Sequence, residues 1–453
     1  MKIKQKNTID MTHGTLWNKL LLFALPLAAS SILQQLFNSV DTAVVGRFAS
    51  SRALAAVGSN SSLIALMINL FIGISLGSNV IISRYIGQKA EEHVKGAIHT
   101  AIVVALCSGI FVLVLGQFIA RPVLTLMGTP KDVLDLAVLY LRIYFLGMPF
   151  IMLYDFSSSI LRSIGDSRRP LYALIAAGII NTGLNLILVI VFHLGVSGVA
   201  IATVVSNIVS SGILFYILLH EQEPIRVKLS GLSIDWGELK KILIIGVPAG
   251  LQGMVFSLAN VCIQSMINSF GSNAIAGSAA ALNFEFFAYF MVNAFAQTTV
   301  TFTSQNYGVG KYKRMDKVLI DCLILSSGIA LVMGGGAYLF GTEILQIYTG
   351  DPEVIRCGME ILSITTVPYF LCGIMDLFPG ALRGMGCSAV PMILSVIGTV
   401  GTRIVWIFGI FPRHRSLYVL FISYPGSWII TIIMQVICYL IVRKKVHSRA
   451  AAV

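Results

Sequence analysis

"LRSIGDSRRP" at residues 161–170 returns as "LRGMGCSAVP" at residues 382–391. The separation is 221 residues, and it recurs. "SRYIGQK" (83–89) pairs with "SQNYGVG" (304–310), and "ALAAVG" (53–58) with "AIAGSA" (274–279). One residue further along, "ALPLAASS" (24–31) pairs with "GVPAGLQG" (246–253), and Pro130 with Pro352. Chance does not hold one offset at so many places, so the chain is two copies of one pattern.

Composition says what medium the copies occupy. Of 453 residues, 56% are hydrophobic and 11% are charged, against about 25% charged in soluble proteins. The mean hydropathy is +0.85. Crossing a bilayer takes about 20 mostly apolar residues. Stretches of that size centre on 16–45, 54–83, 98–120, 134–161, 171–193, 198–219, 242–269, 275–303, 318–340, 355–381, 392–411 and 417–442. Backbone in lipid must satisfy its own hydrogen bonds, so each is predicted to be a helix. A β-barrel would show short alternating segments, and these runs are continuous. The expectation is an all-α polytopic membrane protein of twelve transmembrane helices. Six spans return the chain to its starting side, so the copies share one orientation. That makes two six-helix lobes related by a pseudo-twofold along the membrane normal. The lobes are expected at 1–219 and 242–453, joined by a polar cytoplasmic linker at 220–241. Two such lobes with a cleft between them suit alternating access.

The net charge of +12 follows from loop placement. With the amino terminus inside, most of the 32 lysines and arginines fall in inner segments, the positive-inside pattern, with both termini cytoplasmic. "FPRHRS", with Arg413 and Arg415 outside, runs against the pattern and is outvoted. No basic patch interleaves with stacking aromatics, so a nucleic-acid partner is not expected. The amino terminus reads as an uncleaved segment. The seven cysteines are scattered without C-x-x-C and read as packing residues. No cofactor is expected, and no phosphate-binding G-x-x-x-x-G-K-[ST] loop is present.

Asp41, Asp155, Glu285 and Asp376 sit well inside spans. A charge at the bilayer centre costs about 2.5–3.5 kcal/mol. A partner, water, a cation or a proton must offset that cost. Asp41 shares a helical face with Gln34 and Asn38, at i−7 and i−3. Its two readings are coupling to a cation or proton, and bonding to neighbouring helices. Asn181 and Asn185 stand one turn apart on the fifth span, as site ligands or as interhelical glue. Glu285, in "ALNFEFFAYF", is flanked by aromatics that would add cation–π attraction for a cationic cargo. Asp376 is a second cleft candidate, and Asp155 is a weaker one. Gln34, Asn38, Glu285 and Asp376 are thus the expected cation or substrate cleft residues. The symmetric Arg162 and Arg383 read as anchors of inner helix ends, and Gly165 and Gly386 as tight turns.

"PLAASSILQQLFNSVDTAVVGR", the paired "LRxxGxSxxP" loops and "SQNYGVGKYKR" resemble the multidrug and toxic compound extrusion (MATE) family. The resemblance covers essentially the whole chain. It implies a secondary efflux transporter, not an enzyme, that exports organic, often cationic, compounds by antiport with H⁺ or Na⁺. It implies an ion site at Asp41, Asn181, Asn185 and Thr203, with no metal beyond Na⁺ at Asp41. Many bacterial members carry Asp at the position of Asn185, so this chain has one acid fewer there. The alternative is a flippase for lipid-linked saccharides of the same superfamily. That cargo needs a cleft suited to phosphates, whereas the deep charges here are mainly acidic and only Arg403 is clearly basic. The expected partners are drug-like molecules and the bilayer of a cell inner membrane, with the protein a monomer.

The twelve-span topology places Ser230 inside and Asp351 outside. Single cysteines at these positions, in a cysteine-free background, should label from opposite faces. Labelling of both from one face would overturn the arrangement.

Overall fold

The structure, a computed structural model, describes residues 8–346 and 349–451. Lys2, Lys4 and Lys6 of the basic amino-terminal stretch lie outside the described residues. All regular secondary structure among the described residues is helical. Ten helices are long and apolar enough to cross a membrane: Trp17–Phe48, Arg52–Gln88, Glu91–Leu126, Arg168–Val191, Gly195–Leu219, Trp236–Asn268, Ser272–Gly308, Tyr312–Leu339, Ala389–Arg413 and Leu417–Ser448. Two further spans are bent pairs, Lys131–Leu146 with Met148–Ser163 and Pro352–Thr365 with Tyr369–Gly384. Counting each pair once gives twelve.

The fourth and tenth spans therefore depart from the continuous helices expected at 134–161 and 355–381. They bend by 47° and 49°. Pro149 and Pro368 explain why: each lacks an N–H and its ring clashes with the preceding turn. Each bend rests on a glycine of the preceding span. A Cβ on Gly109 would strike the backbone of Pro149, and one on Gly334 the carbonyl of Thr366. Starts are set by side-chain caps: Ser50 Oγ accepts from Ala53 N at 3.1 Å, and Asp351 Oδ1 from Glu353 N at 2.9 Å, followed by Pro352. Wide π turns interrupt the fifth span at Ile187–Val191 and the eleventh at Val396–Gly401 and Trp406–Ile410.

The chain folds into two compact units, Met1–Ile9 with Ala29–Val247, and Asp10–Ala28 with Pro248–Val453. Asp10–Ala28, which includes the first part of the first span, thus belongs with the second copy, and the 220–241 linker with the first. In the first unit, Glu238 accepts from Tyr85 Oη at 2.8 Å and lies 3.1 Å from His93 Nδ1. In the second, the Met11 carbonyl accepts from Asn306 Nδ2 and Arg314 Nε, both at 3.1 Å. Tyr85 and Asn306, like His93 and Arg314, are related by the 221-residue offset. Lys228 and Lys95 both pair with Glu223, at 2.6 and 3.4 Å, and the Lys228 ammonium holds that carboxyl below its ordinary range. Gly165 and Gly386 have φ of +91° and +90°, and Arg162 and Arg383 close the preceding helices.

The bends yield a packing test. Gly334→Ala should cost about 1–3 kcal/mol, because the opposing atom is backbone and cannot swing away. Gly335→Ala, with nothing within 4 Å, should be neutral or stabilising by up to about 1 kcal/mol. Thermal unfolding in detergent separates the two.

Candidate functional site

In the first unit, Asp41 is 6% exposed on the first span. Its Oδ1 accepts from Asn185 Nδ2, and its Oδ2 lies 3.2 Å from Thr203 Oγ1. Asn185 Nδ2 also reaches Asn181 Oδ1 at 3.1 Å. The i, i+4 asparagines lie one turn before the π turn at Ile187, on the buried face of the fifth span. Three spans thus converge on one carboxylate through neutral groups. Thr203 Oγ1 also lies 3.0 Å from the Val199 carbonyl, so its single proton has two acceptors. Asn185 Oδ1 is buried and has no hydrogen-bond partner among the described residues. Gln34 and Asn38 share the face of Asp41, but their side chains are exposed and do not join the cluster. The cluster gathers across the fifth and sixth spans instead, because only those present buried donors to the carboxylate. Sequence reasoning missed Tyr140 and Tyr144. Their rings stack at 6.0 Å, and Asp41 acts on both phenols.

In the second unit, Glu285 is 8% exposed on the eighth span. Its Oε1 accepts from Thr365 Oγ1 at 2.5 Å, and its backbone carbonyl faces Tyr369 Oη at 3.4 Å. Thr365 and Tyr369 flank the break of the tenth span. The "TTVP" ahead of the break was the signal that sequence reasoning passed over. Arg403 is 7% exposed, between the two π turns of the eleventh span. Its Nε donates to Ser427 Oγ at 3.2 Å, and its guanidinium lies 3.9 Å from the Tyr424 ring centroid.

Asp155 and Asp376 are half-buried and form neither cluster. The charges acting on them are those of Arg162 and Arg383, seven residues on in each copy. Arg383 Nη2 also donates to Gln252 Oε1 at 2.6 Å. Asp376 thus has its own arginine nearby, and it acts, as Glu285 does, on Tyr369 and Cys372. Asp321, near the start of the ninth span, was also missed; it is 5% exposed, and among the described residues its Oδ2 has no hydrogen-bond partner.

Twelve apolar spans in two repeats, with carboxylates buried among polar side chains, define a polytopic membrane protein built by duplication. The MatE family model matches residues 26–187 and again 248–408, so it finds both copies, and the chain belongs to that family. The probable multidrug resistance protein YoeA of Bacillus subtilis is 29% identical over 447 residues, covering 97% of this chain and 96% of that protein. The probable multidrug resistance protein NorM of Thermotoga maritima is 26% identical, covering 85% and 84%. Among solved structures, a MATE protein in its bent conformation superposes with a TM-score of 0.86 at 21% identity, covering 96% of each chain. The Vibrio cholerae MATE transporter VcmN, in its bent form, gives 0.85 at 21% identity, covering 96% and 97%.

Asn185→Ala should cost about 1–3 kcal/mol in unfolding experiments, because it takes a donor from a buried carboxylate. Gln34→Ala, at an exposed position, should stay within about 0.5 kcal/mol.

Proposed function

We propose that the protein is a secondary active exporter of drug-like, often cationic, compounds, driven through alternating access by exchange for H⁺ or Na⁺. Asp41 is the observation that carries this reading. It is a buried carboxylate on the first span, bonded by neutral donors from the fifth and sixth, with no cation among its bonded partners. A bare carboxylate in a poorly solvated bundle is unstable and gains by taking up a proton or a cation. Exchange of that ion drives transport if the two states of the protein bind it unequally. The names of the relatives, multidrug resistance and multidrug export proteins, support the cargo class. We place the protein in a bacterial inner membrane as a monomer, with both termini cytoplasmic.

The hydrogen bonds suit a proton. With Asp41 ionised, Thr203 donates to it; with Asp41 protonated, Thr203 turns to the Val199 carbonyl and accepts from the acid. Na⁺ would need oxygens. Turning the Asn185 amide over would present its unpartnered Oδ1 beside Asp41, Asn181 Oδ1 and Thr203 Oγ1. With one acid in the cluster, we favour H⁺.

The test is efflux of a fluorescent lipophilic cation from cells, with H⁺ and Na⁺ gradients imposed separately. Asp41→Asn keeps the shape without the titratable charge, so it should insert normally and lose concentrative efflux. Asn185→Asp should shift the ion dependence. Glu285→Gln should weaken efflux of a permanently charged dye more than that of an uncharged one. Concentrative efflux by a normally inserted Asp41→Asn protein would remove Asp41 from the coupling role.

A further inference from the structure

Glu285 and Arg403 are buried opposite charges of the second unit, outside the repeated Asp–Arg pairs. No ion pair joins them among the described residues; a run of aromatic rings, Tyr369, Trp428 and Tyr424, leads from Glu285 to Arg403. Each charge is only partly used. Glu285 engages Thr365 through Oε1, and no side chain among the described residues donates to Oε2. Arg403 engages Ser427 through Nε, and no acceptor among the described residues takes its Nη groups. Neither Glu285 nor Arg403 has an atom that is both sealed and without a partner among the described residues, so their unused oxygen and donors face space that a ligand can enter.

The surroundings hold the two groups in place. Tyr424 lies under the guanidinium. Trp428 meets Tyr424 and Tyr369 edge to face, at 6.0 and 5.6 Å between centroids. The π turns on either side of Arg403 widen the helix at that point, a distortion that recurs at functional sites. The result is an aromatic-walled pair of fixed, opposite, unsatisfied poles. A purely cationic cargo would satisfy Glu285 and leave Arg403 unanswered nearby. A cargo with a cation and an anion would answer both, and a guanidinium fork matches a carboxylate in two bonds.

We propose that Arg403 and Glu285 together recognise amphoteric cargo: Glu285 takes the cationic group and Arg403 the carboxylate. This rests on the export reading above and narrows its substrate class.

The experiment measures binding of a rhodamine dye with a free carboxylate, and of its methyl ester, to the purified full-length protein by fluorescence anisotropy. Both dyes keep the delocalised cation; only one has the anion. Wild type should bind the acid more tightly than the ester. Arg403→Gln should weaken binding of the acid by about tenfold, the worth of one charge-assisted contact, and leave the ester within about twofold. Arg403→Lys, which keeps the charge without the fork, should retain part of the preference and covers the case of a misfolded glutamine variant. Glu285→Gln should weaken both dyes. Equal loss of both dyes in Arg403→Gln, or no acid preference in wild type, would overturn the proposal. Efflux of the same dyes from cells is scored separately: intact binding without efflux would overturn the export reading and leave this one standing.

Discussion

Hydrocarbon offers no hydrogen bonds to a peptide group, and the whole architecture answers to that constraint. It turns each apolar run into a helix and leaves irregular backbone only where other protein covers it. The two places where a long span gives way show the rule at work. Pro149 and Pro368 break the fourth and tenth spans, and each break lies against a glycine whose missing side chain admits the bent backbone. The second break also has a chemical consequence. It sets Thr365 and Tyr369 on either side of the bend, where both meet Glu285.

The buried acids meet the same constraint in three ways. Asp155 and Asp376 each stand in the field of an arginine on their own span. Glu285 has a hydroxyl donor and a cation that acts on it without contact. Asp41 has only an amide and a hydroxyl. Hydrogen bonds to a charged group each contribute about 1.5–3 kcal/mol, of the same order as the roughly 2.5–3.5 kcal/mol that a central charge costs. Of these four acids, Asp41 is the one on which no basic side chain acts. Among the described residues, no three of His, Cys, Asp or Glu converge, so any oxygens added around it come from amides and hydroxyls.

Sequence made the helical architecture legible because apolar length and the 221-residue offset are one-dimensional properties. Fifth-span spacing likewise set Asn181 and Asn185 on one face, where Asn185 meets both Asp41 and Asn181. The reading faltered where three-dimensional packing decides. Gln34 and Asn38 share the helical face of Asp41, but a common face does not mean common burial. Asp376 looked like a companion of Glu285, yet the charge beside it is Arg383 on its own span. Thr365 and Ser427 are two polar residues among many, and nothing in their spacing announces what they touch. Arg403 was visible as a deep cation, and only the structure shows the Tyr424 ring beneath it.

The repeat also separates scaffold from chemistry. What the copies share at the 221-residue offset is structural: Asp155 with Asp376, Arg162 with Arg383, Gly165 with Gly386. The two polar clusters are what they do not share. Asp41 corresponds to Ile263 at the 222-residue offset of its span, and at 221 Asn181 corresponds to Thr402, Asn185 to Trp406 and Thr203 to Tyr424. In the other direction, Glu285 corresponds to Ile64, Arg403 to Thr182 and Thr365 to Tyr144. After duplication, a fold-preserving residue is under the same constraint in both copies, since both must pack the same helices. A residue that binds an ion or a cargo is under that constraint in one copy only. At the two polar clusters the copies diverge, on the fifth, sixth and first spans of one and the eighth, tenth and eleventh of the other. Tyr424 marks the exchange most directly. At the position where one copy offers a hydroxyl to Asp41, the other lays an aromatic face beneath Arg403. One scaffold thus carries an acid among neutral donors in one copy and a split pair of opposite charges in the other.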